Sequence, residues 1–329
     1  MNMIVLVLRG VTWTSPHDTE GTDMTAGNQD TTLQSPIDTI VSDRAFLECP
    51  RWHEGRVWVS DLYRHEVISI GDDGDVVVEA TLTGDEPSGL GWLPDGRLLI
   101  TAMESGCIMR REDDSEIVVH ADLSSVATGK LNDMVVAADG TAYVGSFGFE
   151  FKRDTPIRPA NLVRVAPDGT FSVEAEDLLF PNGMVITPGG TLVVAESMGN
   201  RLTAFDIESD GSLSNQRTWA SFGPELPRDS VKAAMSAAAV APDGIGLDSS
   251  GAVWVADALN RRVVRVVEGG RITEEVRFPT GVFACMLGGH EGNTLYACAA
   301  PNSSEAARRH TRDASLLATR VNATHGGRP

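Results

Sequence analysis

The sequence predicts an all-β fold, a six-bladed β-propeller with four-stranded blades, and three observations carry that prediction. A glycine-led strand motif recurs six times along the chain. Each recurrence is long enough for four short strands yet leaves no room for crossover helices. Segments rich in Val, Leu, Ile, Trp and Tyr alternate with Gly, Asp and Asn turns, while amphipathic helical periodicity is nearly absent.

The repeat is read directly from the residues. Gly55-Arg-Val-Trp-Val-Ser-Asp61 is followed by Gly96-Arg-Leu-Leu-Ile-Thr-Ala102 and Gly140-Thr-Ala-Tyr-Val-Gly-Ser146. Gly190-Thr-Leu-Val-Val-Ala-Glu196, Gly251-Ala-Val-Trp-Val-Ala-Asp257 and the looser Gly292-Asn-Thr-Leu-Tyr-Ala-Cys298 complete the series. The leading glycines stand 41, 44, 50, 61 and 41 residues apart. Closure of such a ring needs its ends to share a blade, and Ala314–Val321 and Ile37–Phe46 are the strand segments placed to do so. The longer intervals mark insertions. One is the charged loop over Phe151–Ala160. The other is the Ala-rich stretch Arg228–Val240, which predicts a helix with Asp229 or Ser230 as N-cap, placed over one mouth of the ring.

Residues 1–36 are Thr-, Asp- and Gly-rich without a period, and read as a disordered extension ahead of a single propeller domain over 37–329. Met24 stands there as an alternative start. The apolar run Met3–Leu8 is too short to span a membrane and lacks a basic flank, so a cytoplasmic protein is expected. A net charge of −19 argues against nucleic acid or an anionic membrane as partner, and fits a chain that holds a cation. The four cysteines form no CxxC pair and read as buried thiols.

The chemistry lies in the phase of the repeat. Eight residues before the leading glycines stand Ser88, Asn132, Asn182, Asp243 and Ala284; in the first unit, seven residues before, stands Glu48. The first strand of a propeller blade lines the central channel, so equal phase means equal height around the axis. Glu48, Asn132, Asn182 and Asp243 are thereby expected to face one another. A single Asn or Asp entering a strand ordinarily serves the local backbone. Four in one phase, two of them carboxylates that repel unless a cation neutralises them, form a hard oxygen donor set. Such a set suits one divalent ion, Ca²⁺ first, then Mg²⁺ or Mn²⁺, with Zn²⁺ also open.

Leu47-Glu48-Cys-Pro-Arg-Trp52, Leu131-Asn132-Asp133, Phe180-Pro-Asn182-Gly183 and Ala241-Pro-Asp243-Gly244 resemble, in order and spacing, the motif set of the senescence marker protein (regucalcin) and gluconolactonase family. The resemblance runs from about residue 40 to 300 and implies a six-bladed, metal-dependent lactonase or related esterase acting on a small-molecule lactone or ester. It implies Glu48, Asn182 and Asp243 as metal ligands, and Asn132 as a substrate-binding residue. Lys130 replaces the family's Arg, keeping the cation but losing the bidentate fork. Glu150 stands where a substrate-contacting Glu would fall, although Ser146-Phe-Gly-Phe149 departs from the family's usual residues there. The implied chemistry is a metal-polarised carbonyl attacked by water that Asp243 activates.

Other chemistries find little in the chain. There is no G-x-S-x-G elbow. Asp206–Gly211 begins like an EF-hand loop but has Arg217 where the bidentate Glu belongs, and Gly89-Leu-Gly91 lacks the third glycine of a dinucleotide site. Related propellers that act as organophosphatases, strictosidine-synthase-like condensing enzymes or biosynthetic tailoring enzymes remain the alternative, as does a non-catalytic binding propeller. The acids Asp61, Glu196 and Asp257, which close the second strand of their units, read as turn caps.

Overall fold

The computed structural model describes residues Ser35–Pro329, and the expected extension over 1–36 lies outside them except for Ser35 and Pro36. The chain opens with β1 (Asp38–Arg44) and then lays down six blades. The first is β2 (Leu47–His53), β3 (Arg56–Asp61), β4 (Glu66–Ile70) and β5 (Val76–Thr81); the second is β6 (Pro87–Trp92), β7 (Leu98–Ala102), β8 (Cys107–Arg111) and β9 (Ile117–Asp122). The third is β10 (Leu131–Val136), β11 (Ala142–Ser146), β12 (Ala160–Val165) and β13 (Phe171–Leu178). The fourth is β14 (Pro181–Ile186), β15 (Thr191–Glu196), β16 (Arg201–Ile207) and β17 (Leu213–Ser221). After helix α1 (Val231–Ala237) comes the fifth, β18 (Pro242–Leu247), β19 (Val253–Asp257), β20 (Arg262–Val266) and β21 (Ile272–Arg277). The sixth is β22 (Gly281–Gly288), β23 (Thr294–Ala300) and, after the short α2 (Glu305–Arg308), β24 (Ala314–Arg320).

Every blade is a four-stranded antiparallel meander, and the sixth takes its outermost strand from the other end of the chain, in the order β1-β24-β23-β22. The ring is thus fastened by the two terminal strands, as the sequence predicts. The innermost strands touch in turn, β2 with β6, β6 with β10, β10 with β14, β14 with β18, β18 with β22, and β22 back to β2.

The core is divided in the same way. Six apolar clusters each join two neighbouring blades; one packs Val193, Leu202 and Ala204 of the fourth against Val253, Val255 and Val264 of the fifth. Both faces of a blade are therefore covered, which is why the second strands read as unbroken apolar runs such as Leu192-Val193-Val194-Ala195 rather than alternating. Burial on this scale, at about 25 cal/mol per Å² of apolar surface, is what holds blades that share no hydrogen-bonded edge.

Two further clusters lie at the end of the channel where the innermost strands begin. Helix α1, capped by the Ser230 hydroxyl accepting from Ala233 N at 3.2 Å, buries Val231 and Ala234 among Phe149, Ile157, Leu179, Phe180 and Met198. The second cluster gathers Phe46, Leu62, Met103 and Phe283 from three blades, and Phe147 packs against both clusters. A seven-residue helix forms within the Ala-rich stretch over 228–240; α2 was not foreseen. At the opposite end, Ile186 pairs with Arg328 and Asp248 with His325, so the C-terminal segment crosses the far ends of β14 and β18. Among the described residues no helix is long and apolar enough to cross a membrane.

Candidate metal centre

Pairing on the second strand tests whether the ring residues share one height. Leu47 pairs with Asp61, Pro87 with Ala102, Leu131 with Ser146, Pro181 with Glu196 and Pro242 with Asp257, in each case the residue six after the leading glycine. The next residue along each innermost strand is Glu48, Ser88, Asn132, Asn182 or Asp243. The first unit needs seven residues rather than eight because its hairpin is tighter, with His53 paired to Arg56 across Glu54 and Gly55.

A β-bulge lies at this height in the first five blades. Between Pro181 and Met184 the innermost strand spends one residue more than its partner, and the same extra residue occurs in β2, β6, β10 and β18. In β22 it comes earlier, between Val282 and Ala284, and that blade presents no oxygen. A bulge releases a residue from the ladder and re-aims its side chain, here from the blade faces toward the channel. The glycine that follows makes room. A Cβ on Gly183 would stand 2.5 Å from Ile245 N, and one on Gly244 would stand 2.5 Å from Ala284 Cβ. The Pro-Asn-Gly and Pro-Asp-Gly motifs are thus a bulge with its clearance.

The structure brings four of the candidates together. Asn132 donates to Pro181 O at 3.3 Å, and Asn182 donates through Nδ2 to Ser197 Oγ at 3.1 Å. Ser197 in turn donates to Pro242 O at 2.7 Å, tying the fourth blade to the strand that carries Asp243. Glu48 and Asp243 interact. Burial pushes the Glu48 carboxyl well above its ordinary value, with the charges of Asp243 and Asp133 adding to it. Burial does the same to Asp243, opposed by hydrogen bonding from Asn182 and reinforced by Asp133. Both residues are partly exposed.

Asp133 was not singled out by the sequence, and it differs from its two neighbours in charge balance. Arg51 Nη2 meets it at 2.6 Å, whereas among the described residues Asp243 forms no salt bridge, and the Arg51 that acts on Glu48 is already committed to Asp133. Two uncompensated carboxylates and an amide, hard oxygen donors on a channel wall, fit a divalent cation.

Three buried acids hold the backbone that leads into these residues. Phe46 N donates to Asp61 at 3.1 Å, Leu179 N to Glu196 at 2.7 Å, and Ala241 N to Asp257 at 3.3 Å. They therefore fix the entry to Glu48, Asn182 and Asp243, rather than only capping the turns after their own strands. The second and third blades, with Ala102 and Ser146 at this position, have no such acid.

Lys130 and Glu150 fare differently. Lys130 Nζ reaches Glu104 at 2.5 Å, Glu86 at 3.1 Å and Glu305 at 3.7 Å. Burial works against its charge, but hydrogen bonding to Glu104 and Glu86 prevails and holds its pKa above the ordinary value. Arg309 pairs with Glu86 and Glu305 and lies over the Tyr63 ring, 5.1 Å from its centroid. The loop of the sixth blade thus crosses the mouth to reach the second and third. Glu150 has a side chain 66% exposed and paired with Lys152.

The profile of the SMP-30/Gluconolactonase/LRE-like region matches residues 46–300. The chain is 24% identical to 6-deoxy-6-sulfogluconolactonase of Pseudomonas putida, over 84% of this chain and 91% of that one. It is also 24% identical to regucalcin of Danio rerio, over 56% of this chain and 59% of the regucalcin's length. The solved structure of a calcium-binding regucalcin from Agrobacterium tumefaciens superposes with a TM-score of 0.71 at 17% identity, covering 90% of this chain and 97% of that one, which shows a shared fold.

Proposed function

The chain belongs to the SMP-30/Gluconolactonase/LRE-like family, and from that membership we propose that it is a divalent-metal-dependent hydrolase of a lactone or related carboxylic ester. The observation that carries the reading is the common register of Glu48, Asn182 and Asp243, with the charge of Asp243 acting on the buried Glu48 carboxyl. Relatives named as lactonases and as calcium-binding support it.

Glu48, Asn182 and Asp243 hold the cation, Ca²⁺ first by donor chemistry. When bound, the ion supplies electrophilic polarisation of the substrate carbonyl. Asn132, fixed through its amide to Pro181 O, orients the substrate. Asp243 takes a proton from the attacking water as the new C–O bond forms, and returns it to the departing alkoxide as the ester C–O bond breaks. The product is a hydroxy acid, or an acid and an alcohol. Lys130, committed to three glutamates, acts by holding the mouth together.

The test is metal analysis of the purified protein, then hydrolysis of a lactone panel before and after EDTA treatment and re-addition of Ca²⁺. EDTA-sensitive turnover restored by the ion is the expected result; a metal-free protein that turns over no lactone removes the reading.

A further inference from the structure

The position two residues before each ring residue stands, by register, one layer nearer the mouth, where the part of a substrate remote from the reacting carbonyl must lie. From the first blade to the fifth these residues are Phe46, Glu86, Lys130, Phe180 and Ala241. The two polar members are already spent on each other, at 3.1 Å, and on Glu104, Glu305 and Arg309. A polyhydroxylated ring would meet few unpaired partners here, and its hydroxyls would be desolvated without compensation.

The remaining wall is aromatic. The Phe46 ring lies tilted against Phe283 of the sixth blade with centroids 5.0 Å apart, and the Phe180 ring lies 4.4 Å from that of Phe147. Phe147, partly exposed, packs on the clusters of both sides of the mouth. Phe46, Phe180 and Phe283 are buried in these clusters, and Phe147 is the member of the four open to solvent; Phe46 and Phe180 are each two residues from a proposed metal ligand, so the apolar cluster adjoins the polar ring. Phe180 also holds a φ of +59°, a conformation that costs a bulky residue energy and that persists only where its surroundings impose it.

Resting on the hydrolase reading above, we propose that the substrate is a lactone or ester bearing an apolar alkyl or aryl group, seated against Phe147 with Phe46, Phe180 and Phe283 packed behind it, and not a sugar lactone. The apolar group supplies the binding contact that hydroxyls supply in a polar site.

The experiment is kcat/KM for the γ-lactone series from γ-butyrolactone to γ-nonalactone, with D-glucono-δ-lactone alongside, for the wild type and Phe147→Ala. The expected result is a rise of about fourfold per added methylene, from the transfer free energy of a buried CH₂, and a shallower rise in Phe147→Ala. A flat or falling series with D-glucono-δ-lactone preferred overturns the inference and leaves the hydrolase reading standing. Should no lactone be turned over, the hydrolase reading falls, and calorimetric titration with octanoate and gluconate decides the pocket separately. Octanoate binding that Phe147→Ala weakens supports the apolar site; the absence of octanoate binding, or equal binding of gluconate, overturns it.

Discussion

Arg51 and Asp133 form an ion pair of 2.6 Å in which each side chain is only 4% exposed, joining the innermost strands of the first and third blades. The same guanidinium donates to Leu90 O of the second blade at 3.1 Å and to Met134 O at 2.9 Å. One side chain thus ties three blades just beneath Glu48 and Asp243. Removing one partner strands the other charge in the core, so Asp133→Ala is expected to lose about 3–5 kcal/mol of stability. Urea unfolding measures it, and the double variant Arg51→Met/Asp133→Leu should recover most of the loss. Asp133→Ala as stable as the wild type would refute the account.

Cation binding should stabilise the fold by mass action. At a Ca²⁺ concentration about 100 times its Kd the gain is about 2.7 kcal/mol, visible as a rise in Tm that EDTA reverses. Glu48→Gln removes one of two charges that the ion offsets, and the saturable rise should disappear. A rise of equal size in Glu48→Gln would take that residue out of the ligand set.

Asp243→Asn keeps an oxygen for the cation but cannot accept the proton of water. Its kcat should fall by about 10²–10⁴-fold, the usual range for a lost general base, while cation binding weakens far less. Turnover at the wild-type rate would end the assignment of Asp243.

The acids that hold the entry to the ring should tune affinity rather than only stability. Glu196 accepts from Leu179 N and pairs with Arg201 at 2.7 Å. Glu196→Gln is expected to weaken Ca²⁺ binding by about 10–100-fold, the cost typical of losing a group that orients a ligand. Asp248, equally buried and paired with Arg265 but at the far end of its strand, is the control. Asp248→Asn should lower Tm with Ca²⁺ affinity intact; equal loss of affinity in both variants would assign Glu196 a purely structural part.

The thiols give a pH prediction. Burial raises the pKa of Cys49, Cys285 and Cys298, and raises that of the partly exposed Cys107 as well. A raised thiol pKa leaves less thiolate at a given pH, and the thiolate is the reactive form. Native protein should therefore react with a disulfide reagent slowly and at Cys107 alone, with a rate still climbing above about pH 9, where an ordinary thiol levels off. Unfolded chain should expose all four. Rapid modification of more than one cysteine in the native state would contradict the burial described.

Much of this was readable from the residues, and for a local reason. A strand and its hairpin partner are neighbours in sequence, so the glycine-led repeat gave the number of blades and the phase gave the common height of Glu48, Asn132, Asn182 and Asp243. The Ser230 cap and its Ala-rich helix were equally local. The extra residue in each innermost strand was not legible, because a bulge is a relation between two strands. Nor was the part played by Asp61, Glu196 and Asp257: their acids were visible, but the N–H groups they hold lie 15 to 17 residues upstream.

What only the tertiary structure decided are the contacts made when the ring closes. Arg51 and Asp133 are 82 residues apart, and Glu86 and Arg309 are 223 apart. No period or turn signal links such pairs, since their meeting depends on the curvature of the whole sheet assembly. That closure commits Lys130 to its glutamates, leaves Glu150 at the surface, and gathers separate phenylalanines into two apolar clusters that share Phe147. The sequence by itself determined which oxygens share a height; the closed ring decided which of the surrounding charges are already paired.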